Sequence, residues 1–220
     1  MRYTGPVSKR YDQYCPIAHA LDLVGERWAL LVVRELLYGP QRYTDLAAKL
    51  PGIGTNILAG RLKDLETCGI VTKRRLPPPA ASQVYELTPY GIALKPVIRE
   101  LAVWGIRSLG PPELEGELAP AWLEHALDTV FAPVAPAGSF EFRIGGETAS
   151  LRDGEVRPGS TEQPDVVVTA DPACFYNLFV ERGWDGVTVE GDRALLEQLL
   201  DAASAPAFQS PAARAPSVAA

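Results

Sequence analysis

The sequence has few of the residues that bind metals or form disulfides. Its 220 residues include two histidines and three cysteines. Cys15, Cys68 and Cys174 form no CxxC pair, and an odd, sparse cysteine set is typical of proteins in a reducing compartment. We therefore expect a cytoplasmic protein with no disulfide framework, no metal site and no bound cofactor.

Long apolar runs and enzyme motifs are also missing. No apolar run approaches the roughly 18 residues of a membrane helix, and residues 1–14 are too polar for a secretory signal, so we expect no membrane partner. The sequence has no GxxxxGK[ST], GxSxG or HExxH motif. Gly52-Ile53-Gly54 lacks the third glycine of a dinucleotide-binding loop and follows a predicted helix. We predict no catalytic residues and no enzymatic activity.

The charged residues are distributed unevenly. All lysines lie in the first half, where residues 1–107 hold 15 Lys and Arg against 9 Asp and Glu, a net of +6. Residues 108–220 hold 6 against 18, a net of -12. This asymmetry indicates a polyanionic partner for the first half, from which the acidic second half is kept away.

The segment from Cys15 to Tyr90 has the order of parts of a winged helix-turn-helix, a fold that places one helix in the major groove of DNA. Cys15, Gly25, Gly39-Pro40 and Pro51 delimit three short helices, the third capped by Thr44. A fourth helix runs from Thr55 to Cys68. Two strands follow, residues 71–76 and 83–87, and then one helix from Thr88-Pro89 to about Leu109.

The fourth helix is predicted to read the DNA. Leu58, Leu62 and Leu65 recur at helical spacing and must face the core. The opposite face then carries small or polar residues, which we predict to contact DNA: Thr55, Asn56, Ala59, Gly60 and Lys63. A glycine inside a helix costs about 1 kcal/mol relative to alanine. Either close approach to DNA or tight packing against a neighbouring helix would explain Gly60.

Further polar and basic residues of this segment are candidates for positioning the phosphate backbone. They are Arg42, Thr44, Arg61, Lys63, Lys73, Arg74 and Arg75. The alternative for each is an ordinary solvated surface residue. The long helix that ends near Leu109 carries apolar residues on more than one stripe, and we expect a second copy of the chain to cover the surplus.

The second half has its own pattern. Residues 110–119 have the composition of a linker, 120–203 of a second domain, and 204–220 of a disordered tail. The predicted second domain contains an amphipathic helix at 122–131, a three-stranded meander at 139–158, and two strand–helix pairs. The whole chain is therefore predicted to be α+β, a winged helix-turn-helix followed by a second α+β domain with a curved, mainly antiparallel sheet.

The first half resembles the HxlR-type regulators, a branch of the winged-helix bacterial transcription factors. The residues that carry the resemblance over about 11–108 include Cys15-Pro16-Ile17, Arg42-Tyr43-Thr44-Asp45-Leu46, Pro51-Gly52-Ile53, Arg61-Leu62-Lys63-Asp64-Leu65-Glu66 and Val84-Tyr85-Glu86-Leu87-Thr88-Pro89. The resemblance implies a DNA-binding homodimer that acts as a repressor. This chain departs from the family where relatives carry serine and glutamines, because it has Gly54, Thr55, Ala59 and Gly60. DNA shape is then expected to contribute to sequence choice.

Cys15 is the one candidate reactive group. A helix N-terminus favours a thiolate, and the resemblance implies a sensor of oxidants or electrophiles at this position. The alternative is a small capping residue buried at the dimer interface.

The second half resembles the sterol-carrier-protein type of lipid-binding domain over about 120–203. The resemblance rests on Pro164-Asp165-Val166-Val167-Val168, on Phe175, and on Val187-Thr188-Val189-Glu190-Gly191-Asp192. It implies an apolar cavity for a lipid-like small molecule that acts as effector, lined by Phe140, Phe142, Phe175, Phe179 and Trp184. The alternative is that these side chains fill a core and that the domain has only a structural or dimerisation role.

Overall fold

The computed structural model describes residues 11–79, 81–112, 118 and 121–203. The chain divides into two compact units, Met1–Ile98 and Arg99–Ala220, and each is described by itself. The predicted tail at 204–220 and most of the predicted linker lie outside the described residues.

Four helices and a strand pair make up residues 16–87 of the first unit. Proline or a tight turn stops each helix near the predicted residue. The helices are α1 (Pro16–Val24), α2 (Ala29–Leu36), α3 (Tyr43–Lys49) and α4 (Thr55–Thr67). The antiparallel ribbon consists of β1 (Val71–Arg75) and β2 (Gln83–Leu87). Gln41 adds an isolated bridge to Tyr85, which fixes the ribbon beside the start of α3. The predicted winged helix-turn-helix is confirmed.

Two details of residues 11–109 differ from the prediction. The helix expected from Pro89 to Leu109 is two helices, α5 (Pro89–Ile92) and α6 (Lys95–Leu109). Pro96 explains the break, because it has no N–H for the carbonyl of Ile92 and its ring crowds that turn. The expected cap of α3 is also wrong. Thr44 lies inside the helix, which begins after Arg42.

The core of the first unit lies between α2, α3, α4 and the ribbon. Leu58, Leu62 and Leu65 are at most 1% exposed. They pack in one cluster with buried side chains from the other elements: Val32, Val33, Leu36, Leu46, Leu50, Ile70 and Val71. The predicted inward stripe of α4 is therefore confirmed, and it fixes which side of the helix faces outward.

The second unit begins within α6, at Arg99, and continues with a five-stranded sheet and three helices. The elements are α7 (Trp122–Val130), β3 (Ser139–Ile144), β4 (Glu147–Arg152), β5 (Glu155–Pro158), β6 (Val166–Ala170), α8 (Pro172–Val180), β7 (Thr188–Gly191) and α9 (Arg193–Ala203). The strand order is β5-β4-β3-β6-β7. Only the β3–β6 pair is parallel, so the prediction of a mainly antiparallel sheet in an α+β fold is confirmed.

Turn residues set the register of the meander. Gly145 and Gly146 join β3 to β4, and Asp153 and Gly154 join β4 to β5, all with positive φ. Two-residue hairpin loops of this kind need positive φ at both positions.

Among the described residues, no helix combines the length and apolarity needed to cross a membrane.

Candidate nucleic-acid interface

The helix α4 is held in place by a hydrogen bond from α3 and by its own buried leucines. The Tyr43 hydroxyl, at the start of α3, donates to the carbonyl oxygen of Thr55 at 2.7 Å. The three buried leucines fix the rotation of α4 about its own axis. The opposite side of the helix therefore has one defined orientation.

That opposite side is small and open. At about 100° per residue, Asn56, Gly60, Lys63 and Thr67 fall on one stripe away from the leucines, with Ala59 beside them. Thr55, Asn56, Ala59 and Lys63 are exposed, and Gly60 is partly exposed. Four of the five predicted DNA-contacting residues of this helix, Asn56, Ala59, Gly60 and Lys63, therefore share one outward surface, which we call the outer face of α4. Thr55 is exposed at the N-terminal end of the helix.

Gly60 lies near the middle of the outer face. Apart from its chain neighbours and the backbone of its own helix, a Cβ built at this residue would meet no described atom within 4 Å. The alternative in which Gly60 packs tightly against a neighbouring helix is therefore wrong. The glycine leaves an open, shallow surface on which another molecule can approach the backbone of α4.

The two basic residues of α4 differ in their surroundings. Lys63 is exposed, and its ammonium has no ion-pair partner within the described part of the chain. Arg61 points elsewhere: its guanidinium lies 2.7 Å from the Asp64 carboxylate and 3.4 Å from that of Glu26, and its side chain is only 19% exposed. Lys63 is therefore available to a phosphate, whereas Arg61 holds α4 to the α1–α2 turn.

The run Lys73-Arg74-Arg75 lies within β1, where successive side chains point to opposite faces. Lys73 reaches α4 and places its ammonium 2.8 Å from the Glu66 carboxylate, a hydrogen bond that raises the Lys73 pKa above 10.5. Arg74 pairs with Glu86 across the ribbon at 2.9 Å. Arg75 donates to the carbonyl of Ala81 at 3.3 Å. The three cations therefore do not form one surface.

Arg42 and Thr44 lie at the start of α3, beside the ribbon. Both are exposed. The Arg42 side chain donates to the Ser82 hydroxyl at 3.0 Å, which joins it to the base of the wing tip. The Thr44 hydroxyl donates to Asp45 at 3.3 Å. Arg42 keeps a guanidinium without a carboxylate partner among the described residues.

Sequence reasoning missed two features of this surface. Ile57, an apolar residue in the first turn of α4, is 47% exposed. Carboxylates also neutralise much of the basic charge. Residues 41–88 hold seven Lys and Arg against four Asp and Glu, a net of +3, and three of the seven cations are paired with carboxylates. Spacing alone does not reveal such cross-element pairs.

Cys15 is the N-cap residue of α1, with Pro16 in the first turn, as predicted. Its thiol is partly exposed and makes no capping hydrogen bond. Lys9 and Arg10, which were expected to support it, lie outside the described residues.

Cys174 differs, because its thiol lies 3.3 Å from Asp171 and this hydrogen bond raises its pKa.

In the second unit, the five candidate ligand-binding residues divide into two groups. Phe140, Phe142 and Phe175 are at most 2% exposed. The Phe142 ring centroid lies 6.4 Å from that of Phe140 and 5.8 Å from that of Phe175. Phe179 and Trp184 are only partly buried, and the Arg193 guanidinium covers the Trp184 ring at 4.1 Å. Only the second group lies at the edge of the apolar interior.

Comparison with known proteins gives matches to the N-terminal half. The model of the HxlR-like helix-turn-helix family matches residues 23–112. The HTH-type transcriptional regulator YvaP of Bacillus subtilis is 35% identical over 105 residues, which are 47% of this chain and 97% of that protein. The regulator YodB of the same organism is 37% identical over 91 residues, 41% of this chain and 81% of YodB.

A solved structure, the reduced form of YodB from B. subtilis, is 34% identical and covers 46% of this chain and all of its own, with a TM-score of 0.40. The sequence matches to YvaP and YodB span most of each relative, and the residues matched by the family model, 23–112, contain the helix-turn-helix described above. The chain therefore belongs to the HxlR-like helix-turn-helix family of DNA-binding transcriptional regulators.

Proposed function

We propose that this protein is a homodimeric repressor that inserts the outer face of α4 into the major groove of duplex DNA. The observation that carries this proposal is the open surface at Gly60, since no described side chain or backbone atom occupies the space above it. The N-terminal residues of such a helix contact base edges. Asn56 is the residue suited to read a base, because its amide can pair with adenine in two places.

The phosphate contacts come from cations that have no carboxylate partner among the described residues. Lys63 on α4, Arg42 at the start of α3 and Arg75 near the wing tip meet this condition. Phosphate contacts position a protein on DNA without reading its sequence. Asn56 supplies the one amide on the outer face, so the local shape and stiffness of the duplex contribute to the choice of site.

The direct test is fluorescence anisotropy on a duplex selected from random sequence by the full chain. Lys63→Gln should weaken binding to all sequences and reduce the slope of log affinity against log salt by about 1 per protomer. Arg157→Gln removes the same charge from the second unit, where Arg157 is 76% exposed, and should change neither quantity. A wild-type chain that selects no sequence would refute the proposal.

The homodimer is supported by apolar side chains that the first unit and α6 leave exposed. Ile17 and Leu21, one turn apart on α1, are 72% and 44% exposed, and Trp104 on α6 is 70% exposed. Apolar surface of this kind marks interfaces between proteins. Sedimentation should give a dimer for the wild type and a monomer for Trp104→Glu. A monomeric wild type would contradict the assignment.

We propose further that the second unit binds an apolar, lipid-like effector beside Phe179 and Trp184. The apolar interior and the partial exposure of these two rings support this location. Phe140, Phe142 and Phe175 contact other rings and support the alternative of a filled, purely structural core. Native mass spectrometry of the purified chain should show a bound apolar molecule that Trp184→Asp removes. The bare polypeptide mass in the wild type would favour the structural alternative.

A second candidate for the signal is oxidation or alkylation of Cys15. Its partial exposure and its position at the N-terminus of α1 favour this role. The expected result is that a thiol-reactive electrophile weakens DNA binding by the wild type and leaves Cys15→Ser unaffected. An equal effect on both proteins would place the reaction elsewhere.

A further inference from the structure

Glu66 is an acidic residue on α4 that faces the wing. Its carboxylate oxygen lies 2.8 Å from the ammonium of Lys73, in the middle of β1. The two side chains are 37% and 36% exposed, so water and ions reach both groups. The pair therefore joins the two elements that carry the proposed DNA contacts, and it does so at the protein surface.

The geometry holds the Lys73 ammonium at one place. Tyr85 is the residue opposite Lys73 in the ribbon, and its ring centroid lies 5.5 Å from the ammonium. The hydrogen bond to Glu66, opposed by some desolvation, raises the Lys73 pKa above 10.5. Lys73 is therefore fully charged near neutral pH, and its charge is directed at Glu66 rather than at solvent.

A phosphate group that approaches Lys73 meets the Glu66 carboxylate at the same position. The phosphate must either displace the carboxylate or accept repulsion from it, and both outcomes weaken the attraction. Lys63, three residues before Glu66 on α4, has no carboxylate within ion-pair distance among the described residues. The ammonium of Lys63 can therefore attract a phosphate without competition from a paired carboxylate, whereas that of Lys73 cannot, although both lysines belong to the same proposed interface.

We propose that Glu66 restrains the attraction of the wing for the DNA backbone, so that binding depends more strongly on base contacts made by α4. This inference rests on the function proposed above. The alternative is that the pair only stabilises the fold. An exposed ion pair contributes little to stability, so the two roles predict different results when the carboxylate is neutralised.

The test uses the full chain and a duplex of random sequence, titrated by anisotropy over a series of NaCl concentrations. Glu66→Gln should tighten this nonspecific binding about fivefold at low salt. It should also steepen the salt dependence by about 2 for a dimer, since each freed lysine adds about 0.9 to the slope. Glu155→Gln is the matched control, because Glu155 also pairs with a cation at 2.8 Å, in the second unit.

A double-mutant cycle shows whether Glu66 acts through Lys73. In the Lys73→Gln background, Glu66→Gln should have no effect on the salt slope. An unchanged slope in the single variant, or the same steepening in the Lys73→Gln background or in Glu155→Gln, would overturn the inference while leaving the proposed function intact. A wild-type chain that binds no duplex would instead refute the proposed function, and the inference with it.

Discussion

At the scale of single residues, Gly60 is a position at which the stability of the fold and the proposed DNA binding favour different residues. It lies inside a helix, has space for a side chain, and carries none. Folding alone would favour alanine at this position, since glycine costs about 1 kcal/mol in a helix interior. The small residue is accounted for if the space above it is filled by DNA.

Gly60→Ala should therefore raise the free energy of unfolding by about 0.5–1 kcal/mol and weaken binding to the selected duplex. Thermal unfolding and anisotropy measure the two effects. Gly105→Ala is a control for stability, because a Cβ there also meets no described atom within 4 Å. A Gly60→Ala variant that binds DNA as well as the wild type would show that the surface is not in contact.

Arg61 and Lys63 have the same charge and lie two residues apart, yet they should behave oppositely. Arg61→Gln removes two ion pairs from a side chain that is 19% exposed, and should lower stability by about 1 kcal/mol without changing the salt slope. Lys63→Gln should leave stability unchanged and reduce the slope. Chemical denaturation and salt titration of both variants would decide, and a reduced slope for Arg61→Gln would contradict this assignment.

At the scale of elements, the sequence predicted most of the fold. Proline, glycine and the spacing of leucines mark the ends and inward faces of α1 to α4, and two-glycine or Asp-Gly turns mark the meander. The break between α5 and α6 was missed, although Pro96 signals it. Pairs between elements, such as Glu66 with Lys73, were not predictable because they depend on how helix and ribbon pack.

The same limit applies to the run Lys73-Arg74-Arg75. As a string of letters it indicates one basic patch. As a strand it presents Lys73 and Arg75 on one face of the ribbon and Arg74 on the other. The prediction of a strand was therefore sufficient to place the three side chains on two different faces of the ribbon. Predicting which cations are neutralised required the positions of Glu66 and Glu86.

In the second unit, β3 carries a buried carboxylate on the face opposite its phenylalanines. Glu141 is 1% exposed. Burial tends to raise its pKa, but hydrogen bonds from the Thr161 backbone and the Arg143 side chain outweigh burial and leave the pKa below its ordinary value of 4.5. This carboxylate therefore holds the segment that follows β5 against the sheet.

A carboxylate with a lowered pKa stabilises the fold fully above pH 4.5, and the contribution is lost as the pH falls through the lowered value. Glu141→Gln should therefore destabilise the second unit by about 1–2 kcal/mol at pH 7 and by progressively less in more acidic solution. Denaturant unfolding at several pH values measures this. An equal loss at pH 7 and in strong acid would contradict the assigned role of the charge.

At the scale of the whole molecule, the charge is divided between a basic first half and an acidic second half. The negative total is compatible with DNA binding, because the proposed phosphate contacts come from cations of the first half without a described carboxylate partner, Lys63, Arg42 and Arg75. The negative net charge of the whole chain does predict a weak affinity for DNA of unrelated sequence. The paired carboxylates of the first unit also lower this affinity. Selection of DNA sites should therefore be carried out at low salt.

The central claim is that the outer face of α4 reads bases. The most direct test is to select binding sites from random DNA with the wild type and with Asn56→Ala, and then to measure both affinities for the wild-type site. The variant should lose about 1–3 kcal/mol of binding free energy and accept any base at one position of each half-site. An Asn56→Ala chain that selects the same sites with the same affinity would contradict the account.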